Sequence, residues 1–214
     1  MVTVACVLKS GGWCTPEYVY SLQAGVEKYL SREHTFVCLT DKNIAGVECI
    51  RFDNEWPGWW SKIELFRKGL FKGPVLYLDL DTVLVSNFDS LFKCNQAIAM
   101  IDNFYHPEYA GSGVLYWNGD MSFIYDAFRG SAENVMSLYQ RWGDQLFIER
   151  LLKTRGCIKE VPRLHEWAKI VSYKRDIRDR GRVIPPGTQI ICFHGTPKPH
   201  DSGVLPCVQK YWRI

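Results

Sequence analysis

No apolar run in this 214-residue chain approaches the roughly 20 residues a helix needs to cross a bilayer, so a membrane span is not expected. No basic leader precedes the apolar part of "MVTVACVLKSGG", which reads as a first strand and not a signal peptide. The eight cysteines are scattered, with no Cys-x-x-Cys pair, which argues against a zinc site or a disulfide framework. Cys6, Cys38 and Cys192 lie in apolar runs, where thiols pack as small hydrophobes. A reducing, cytoplasmic setting is the expectation. The chain has neither a Gly-x-x-x-x-Gly-Lys-Ser/Thr loop nor a Gly-x-Gly-x-x-Gly fingerprint, so ordinary nucleoside triphosphatases and dehydrogenases lose ground. Repeats and low-complexity tracts are missing too. Net charge is only +3, and it is local. Residues 169–182 hold six basic side chains against Asp176 and Asp179, so the other 200 residues carry −1.

What is present is a core: 47% of residues are hydrophobic and 14% aromatic, enough for one sizeable domain. Val2 to Leu8 is an apolar strand stopped by two glycines. Thr15, Pro16 and Glu17 then open an amphipathic helix over 16–30, with Val19, Leu22, Val26 and Tyr29 at helical spacing. Strands are expected at 35–41, 75–78, 97–100, 111–117 and 188–195. Helices are expected at 120–128 and 144–153, and over "KIELFRKGL", opened by a Ser61–Glu64 capping box. Strand and helix alternate through the first half, which predicts an α/β domain spanning 1–214. Its open, mostly parallel sheet would carry helices on both faces, with a less regular, basic C-terminal quarter from about residue 163.

Ligands of open α/β sheets bind at the carboxyl ends of strands. Lys9, Thr40 with Asp41, Asp79 with Asp81, and His194 all fall at such ends. The acids in "VLYLDLDTVLV" stand out. Two carboxylates one residue apart, at the exit of a buried strand, repel each other and suit a hard divalent cation, Mg²⁺ or Mn²⁺, shared with substrate phosphates.

"GPVLYLDLDTVLVSNFDSLF" resembles the Asp-x-Asp segment of nucleotide-sugar glycosyltransferases of the GT-A fold, and of glycosyltransferase family 8 in particular. "WSKIELF", "GSGVLYWNGD", "WGDQLFI" and "FHGTPKPH" resemble four further motifs in the family's order. The resemblance implies a metal-dependent, retaining transferase using a UDP-sugar. Asp79, Asp81 and His194 would be metal ligands, with Asp79 also reaching the donor ribose. Lys198 and Gly195 would lie at the donor phosphates, and Lys62 at the phosphate or the sugar. Asp144, Gln145, Gly111 and Gly113 would be at the transferred sugar, and Lys9, Thr40 and Asp41 at the base. Three positions depart from the family: Cys192 stands where its histidine usually does, His200 replaces a tryptophan, and Gly111 replaces an asparagine.

Plainer readings accompany these. Asp144 would serve as a helix N-cap, His194 as a satisfied strand-end histidine, and Trp56 and Trp59 as core, with Trp60 lining a mouth. For the acceptor, the basic stretch (Lys169, Tyr173, Lys174, Arg175, Arg178, Arg180, Arg182) favours DNA, and phage enzymes of this fold glycosylate hydroxymethylated bases in the host cytoplasm. The alternative acceptor is a cell-surface saccharide or its lipid-linked precursor. Rival functions are a metal-dependent nucleotidyltransferase or phosphohydrolase, and a non-enzymatic nucleic-acid-binding module.

Overall fold

The computed structural model describes residues 1–155 and 158–212. Nine strands are assigned in it: β1 (Val2–Leu8), β2 (His34–Thr40), β3 (Glu48–Ile50), β4 (Val75–Leu78), β5 (Thr82–Leu84), β6 (Ile98–Asp102), β7 (Ala110–Trp117), β8 (Ile170–Ser172) and β9 (Ile190–Cys192). Among them run helices α1 (Pro16–Tyr29), α2 (Ser122–Arg129), α3 (Ala132–Leu138), α4 (Gly143–Thr154) and α5 (Pro206–Trp212). Six strands form one sheet in the order β3-β2-β1-β4-β7-β6, and three form a small second sheet, β5-β9-β8. The β3-β2-β1-β4 half is parallel, while β7 runs antiparallel to β4 and β6.

Side chains alternate across the large sheet, as the two-residue period of a strand requires. Val4, Cys6 and Leu8 of β1 and Leu76 and Leu78 of β4 face a core shared with α1, α5 and the small sheet. Ala5, Val75 and Tyr77 face the opposite core, under α2 and α4. Gly25 lets α1 lie close on β5: a Cβ there would meet Leu84 at 3.4 Å. The seven described cysteines are free, four of them in the first core and three packed against it; Cys157 lies outside the described residues. No helix of the described residues is long and apolar enough to cross a membrane.

Two local expectations fail. Gly58–Phe66 winds as 3-10 turns, not as a longer α-helix, and the Ser61–Glu64 capping box does not form. Ser61 Oγ donates to the Gly58 carbonyl instead, at 2.7 Å. The fully buried Glu64 carboxylate accepts from the backbone N–H of Asp53 and Asn54, at 2.7 and 2.6 Å, tying down the preceding loop. The late strand is also shorter than 188–195, because Thr188 turns back to hydrogen-bond the Pro185 carbonyl before pairing begins at Ile190.

Candidate active site

β1, β4 and β9 all deliver their carboxyl ends to one cavity of about 960 Å³. It gathers Lys9, Lys62, Asp79 and Asp81 from the first half of the chain. Gly111, Gly113, Asp144, Gln145, His194, Gly195 and Lys198 come to it from the second. Thr40 and Asp41 do not line it. Thr40 is fully buried and its hydroxyl accepts from Lys42 N, while Asp41 accepts from Ser10 N and so props the loop after β1.

The acids are held by lysines. Lys62, 4% exposed, places its ammonium 3.1 Å from Asp79 Oδ1 and 3.4 Å from Asp144 Oδ2, and donates to Ser112 Oγ and to the Ser112 carbonyl. Burial works against its charge, but Asp144 and Asp79 outweigh that and raise its pKa above the ordinary lysine value. Lys198 Nζ donates to Asp81 Oδ2 at 2.7 Å and lies 3.7 Å over the Trp13 ring. Asp81 is nonetheless pushed up to about 6, first by burial and then by Asp79, with Lys198 opposing. Tyr77 donates its hydroxyl to Asp79. Gly113 makes room for this acid, since a Cβ there would sit 3.3 Å from Asp79 Oδ2. Gly111 does the same for β6, at 3.1 Å from the Asp102 carbonyl.

Asp144 is not the N-cap of α4, a place held by Trp142. It is buried in the first turn facing Lys62, and burial raises its pKa while Lys62 opposes. The amide of Gln145, half-buried in the wall, has no hydrogen-bond partner among the described residues.

His194 takes the arrangement of its plainer reading, a strand-end histidine with a partner inside the protein. Its Nε2 is 2.7 Å from Ser172 Oγ, and its ring stacks on Phe104 with the Tyr105 edge against it. Burial, then Lys174, Lys198 and Arg175, pull its pKa down to about 4, so it is neutral at physiological pH. It does not join the two aspartates, and no cluster of three metal-ligating side chains forms among the described residues. Two thiols feel both acids: Cys192, pushed well up by burial and then by Asp79 and Asp81, and Cys14, raised by burial and then by Asp81 and Asp79 with Lys198 opposing.

The tryptophans exchange roles. Trp56 is core, as expected, but Trp59 is 55% exposed and lines the cavity, while Trp60 is buried and stacks on Phe128. Trp59 rests on Gly143, where a Cβ would come within 2.9 Å of its indole nitrogen. Trp13 and Tyr105 are the other exposed aromatics of the mouth. Sequence reasoning passed over them, although Trp13 follows the glycine pair that ends β1.

The basic stretch keeps most of its cations at the surface, Lys169, Arg175 and Arg178 included, but buries its aromatic residue. Tyr173 is fully buried: it stacks on Phe193 and its hydroxyl accepts from Leu205 N, so it cannot meet an acceptor. Lys169 donates to the Pro186 carbonyl, Arg175 to Asp176 and the Phe104 carbonyl, and Arg178 to Asp179. Arg180 and Arg182 are exposed.

Solved glycosyltransferases share this architecture over nearly the whole chain. GlyE of Streptococcus pneumoniae superposes with a TM-score of 0.74 at 12% identity, over 100% of this chain and 61% of that one. The galactosyltransferase LgtC, in complex with donor and acceptor sugar analogs, does so at 0.67 and 15% identity, over 98% and 93%. The fold is GT-A. By sequence, inositol phosphorylceramide glucuronosyltransferase 1 of Arabidopsis thaliana is 34% identical over 91 residues, 42% of this chain but only 16% of that protein's length. No family profile matches. Within the GT-A frame the cavity lies at the sheet edge where open α/β folds bind ligands.

Proposed function

We propose that the chain is a glycosyltransferase that moves a sugar from a nucleoside diphosphate donor, a UDP-sugar by preference, to a hydroxyl. The observation that carries this reading is convergence in one GT-A cavity. Two mutually repelling carboxylates meet a lysine from 117 residues away, beside a buried aspartate and a free amide.

Asp79 and Asp81 suit a divalent cation, Mn²⁺ or Mg²⁺. They are hard oxygen donors, and Asp81 is held up to about 6 by burial first and by Asp79 second, so a bound cation would favour its ionised form. Two carboxylates suffice for a cation that draws its remaining ligands from phosphates and water. When bound it would supply charge against the departing diphosphate. Lys198 adds a point charge at the same carboxylate and stabilises the leaving nucleotide. Lys62 fixes Asp79 and Asp144 relative to each other, so the donor and sugar subsites are set by one buried ammonium. Asp144 and Gln145 line the sugar subsite, and Lys9 lies at the base end of the cavity. With no free nucleophile among these groups, retention by front-face attack is the stereochemical proposal, read from the anomeric configuration of the product by NMR. Incubation with UDP- and GDP-sugars and Mn²⁺, followed for slow donor hydrolysis, tests the class and names the donor. Hydrolysis of none of them would count against it.

For the acceptor, a saccharide hydroxyl or its lipid-linked precursor fits better than a DNA base, because Tyr173 is buried and three of the six basic side chains, Lys169, Arg175 and Arg178, are tied to the protein's own carbonyls and acids. The exposed Arg180 and Arg182 keep DNA as the second reading. A salt-sensitive gel shift with duplex DNA, abolished by Arg180→Ala with Arg182→Ala, would favour it; no shift at low salt would remove it.

A further inference from the structure

We propose that Lys174 is a second diphosphate-binding cation, set beside Gly195 and Lys198 to meet the terminal phosphate of the nucleoside diphosphate. This rests on the donor reading above and adds a residue to it. The placement follows from strand register. β8 and β9 pair in parallel with Ser172 opposite Cys192, so the residues leaving the two strands travel side by side. Tyr173 and Phe193 turn inward and stack, with ring centroids 4.4 Å apart. Of the residues that follow, His194 lines the cavity, and Lys174 reaches the cavity wall at Gly195. A π-helical turn, Tyr173–Arg178, begins there, with Ser172 Oγ accepting from Arg175 N and bonded also to His194.

The Lys174 ammonium ends 3.3 Å from where a Gly195 side chain would begin, and Gly195 has a φ of +64°, so glycine both permits the turn and leaves the approach open. The ammonium has no hydrogen bond or ion pair among the described residues, unlike Lys169, Arg175 and Arg178 around it. It is half-buried among like charges: burial, Arg178 and Lys198 pull its pKa down, with only Asp179 opposing. An unpaired cation held against other cations, at the rim of a site built for a polyphosphate, gains by meeting an anion.

The test compares nucleotides that differ by one phosphate. UDP and UMP, or GDP and GMP if the donor screen returns a GDP-sugar, are titrated calorimetrically with Mg²⁺ into wild type, Lys174→Met and Lys174→Arg. Lys174→Met should weaken the diphosphate about 10- to 100-fold, the range for one charge-assisted hydrogen bond, and leave the monophosphate nearly unchanged. Lys174→Arg should recover most of the loss. Unchanged binding of both nucleotides, or equal loss of both, would overturn the proposal. So would loss of a duplex DNA gel shift with nucleotide affinities intact. Wild type that binds no nucleoside diphosphate would overturn the donor reading itself, a failure visible before any substitution is made.

Discussion

Lys62 concentrates the site's electrostatics in a single side chain. Its ammonium sits between Asp79 and the buried Asp144, and no other cation lies within ion-pair distance of Asp144 among the described residues. Lys62→Met would leave Asp144 buried and uncompensated, costing about 3–5 kcal/mol of stability, measurable by urea unfolding. Adding Asp144→Asn to that variant should recover part of the loss. His194 makes a separate, pH-dependent contribution. Its folded pKa lies near 4, below the ordinary histidine value of 6.5, so the folded state binds fewer protons than the unfolded one between those values. The stability that follows is present above pH 6.5 and is lost as pH falls toward 4. His194→Phe, which keeps the stack on Phe104, should flatten the dependence of unfolding free energy on pH across that window; an unchanged slope would refute the assignment.

At the scale of elements, period and punctuation made most of the fold legible. Strands β1, β2, β4 and β7 and helices α1, α2 and α4 lie within a few residues of where alternation, glycines and acidic first turns place them. The misses share a cause: a side chain's local role was decided by a distant partner. Glu64 has the spacing of a capping box but is taken by backbone N–H groups of the loop before it. Tyr173 sits in a basic run, yet the parallel pairing of β8 with β9 carries it against Phe193. Tyr173→Ala should therefore behave as a core truncation, losing about 3–5 kcal/mol in denaturant unfolding, and not as the loss of a surface contact. Trp59 and Trp60 are adjacent in an apolar cluster, so only the 3-10 winding of Gly58–Phe66 decides which one faces solvent.

Across the whole molecule, the site is an assembly of sheet edges. Its acids exit β4, its second lysine comes from the loop beyond β9, and Asp144 and Gln145 open α4. The sequence announced this through polar residues at successive strand ends, and the resemblance of "VLYLDLD" named the fold that the superpositions show. It could not show that His194 turns to Ser172, because that choice depends on the aromatic stack contributed by Phe104 and Tyr105. In the proposed reading, Asp79 and Asp81 are the cation's two protein ligands. The most direct measurement is Mn²⁺-dependent release of nucleoside diphosphate from the preferred sugar donor, by wild type and by Asp81→Ala confirmed folded by its melting curve. Turnover that stops with chelator in wild type and is abolished in Asp81→Ala is the predicted result; metal-dependent turnover that survives the substitution would contradict the account.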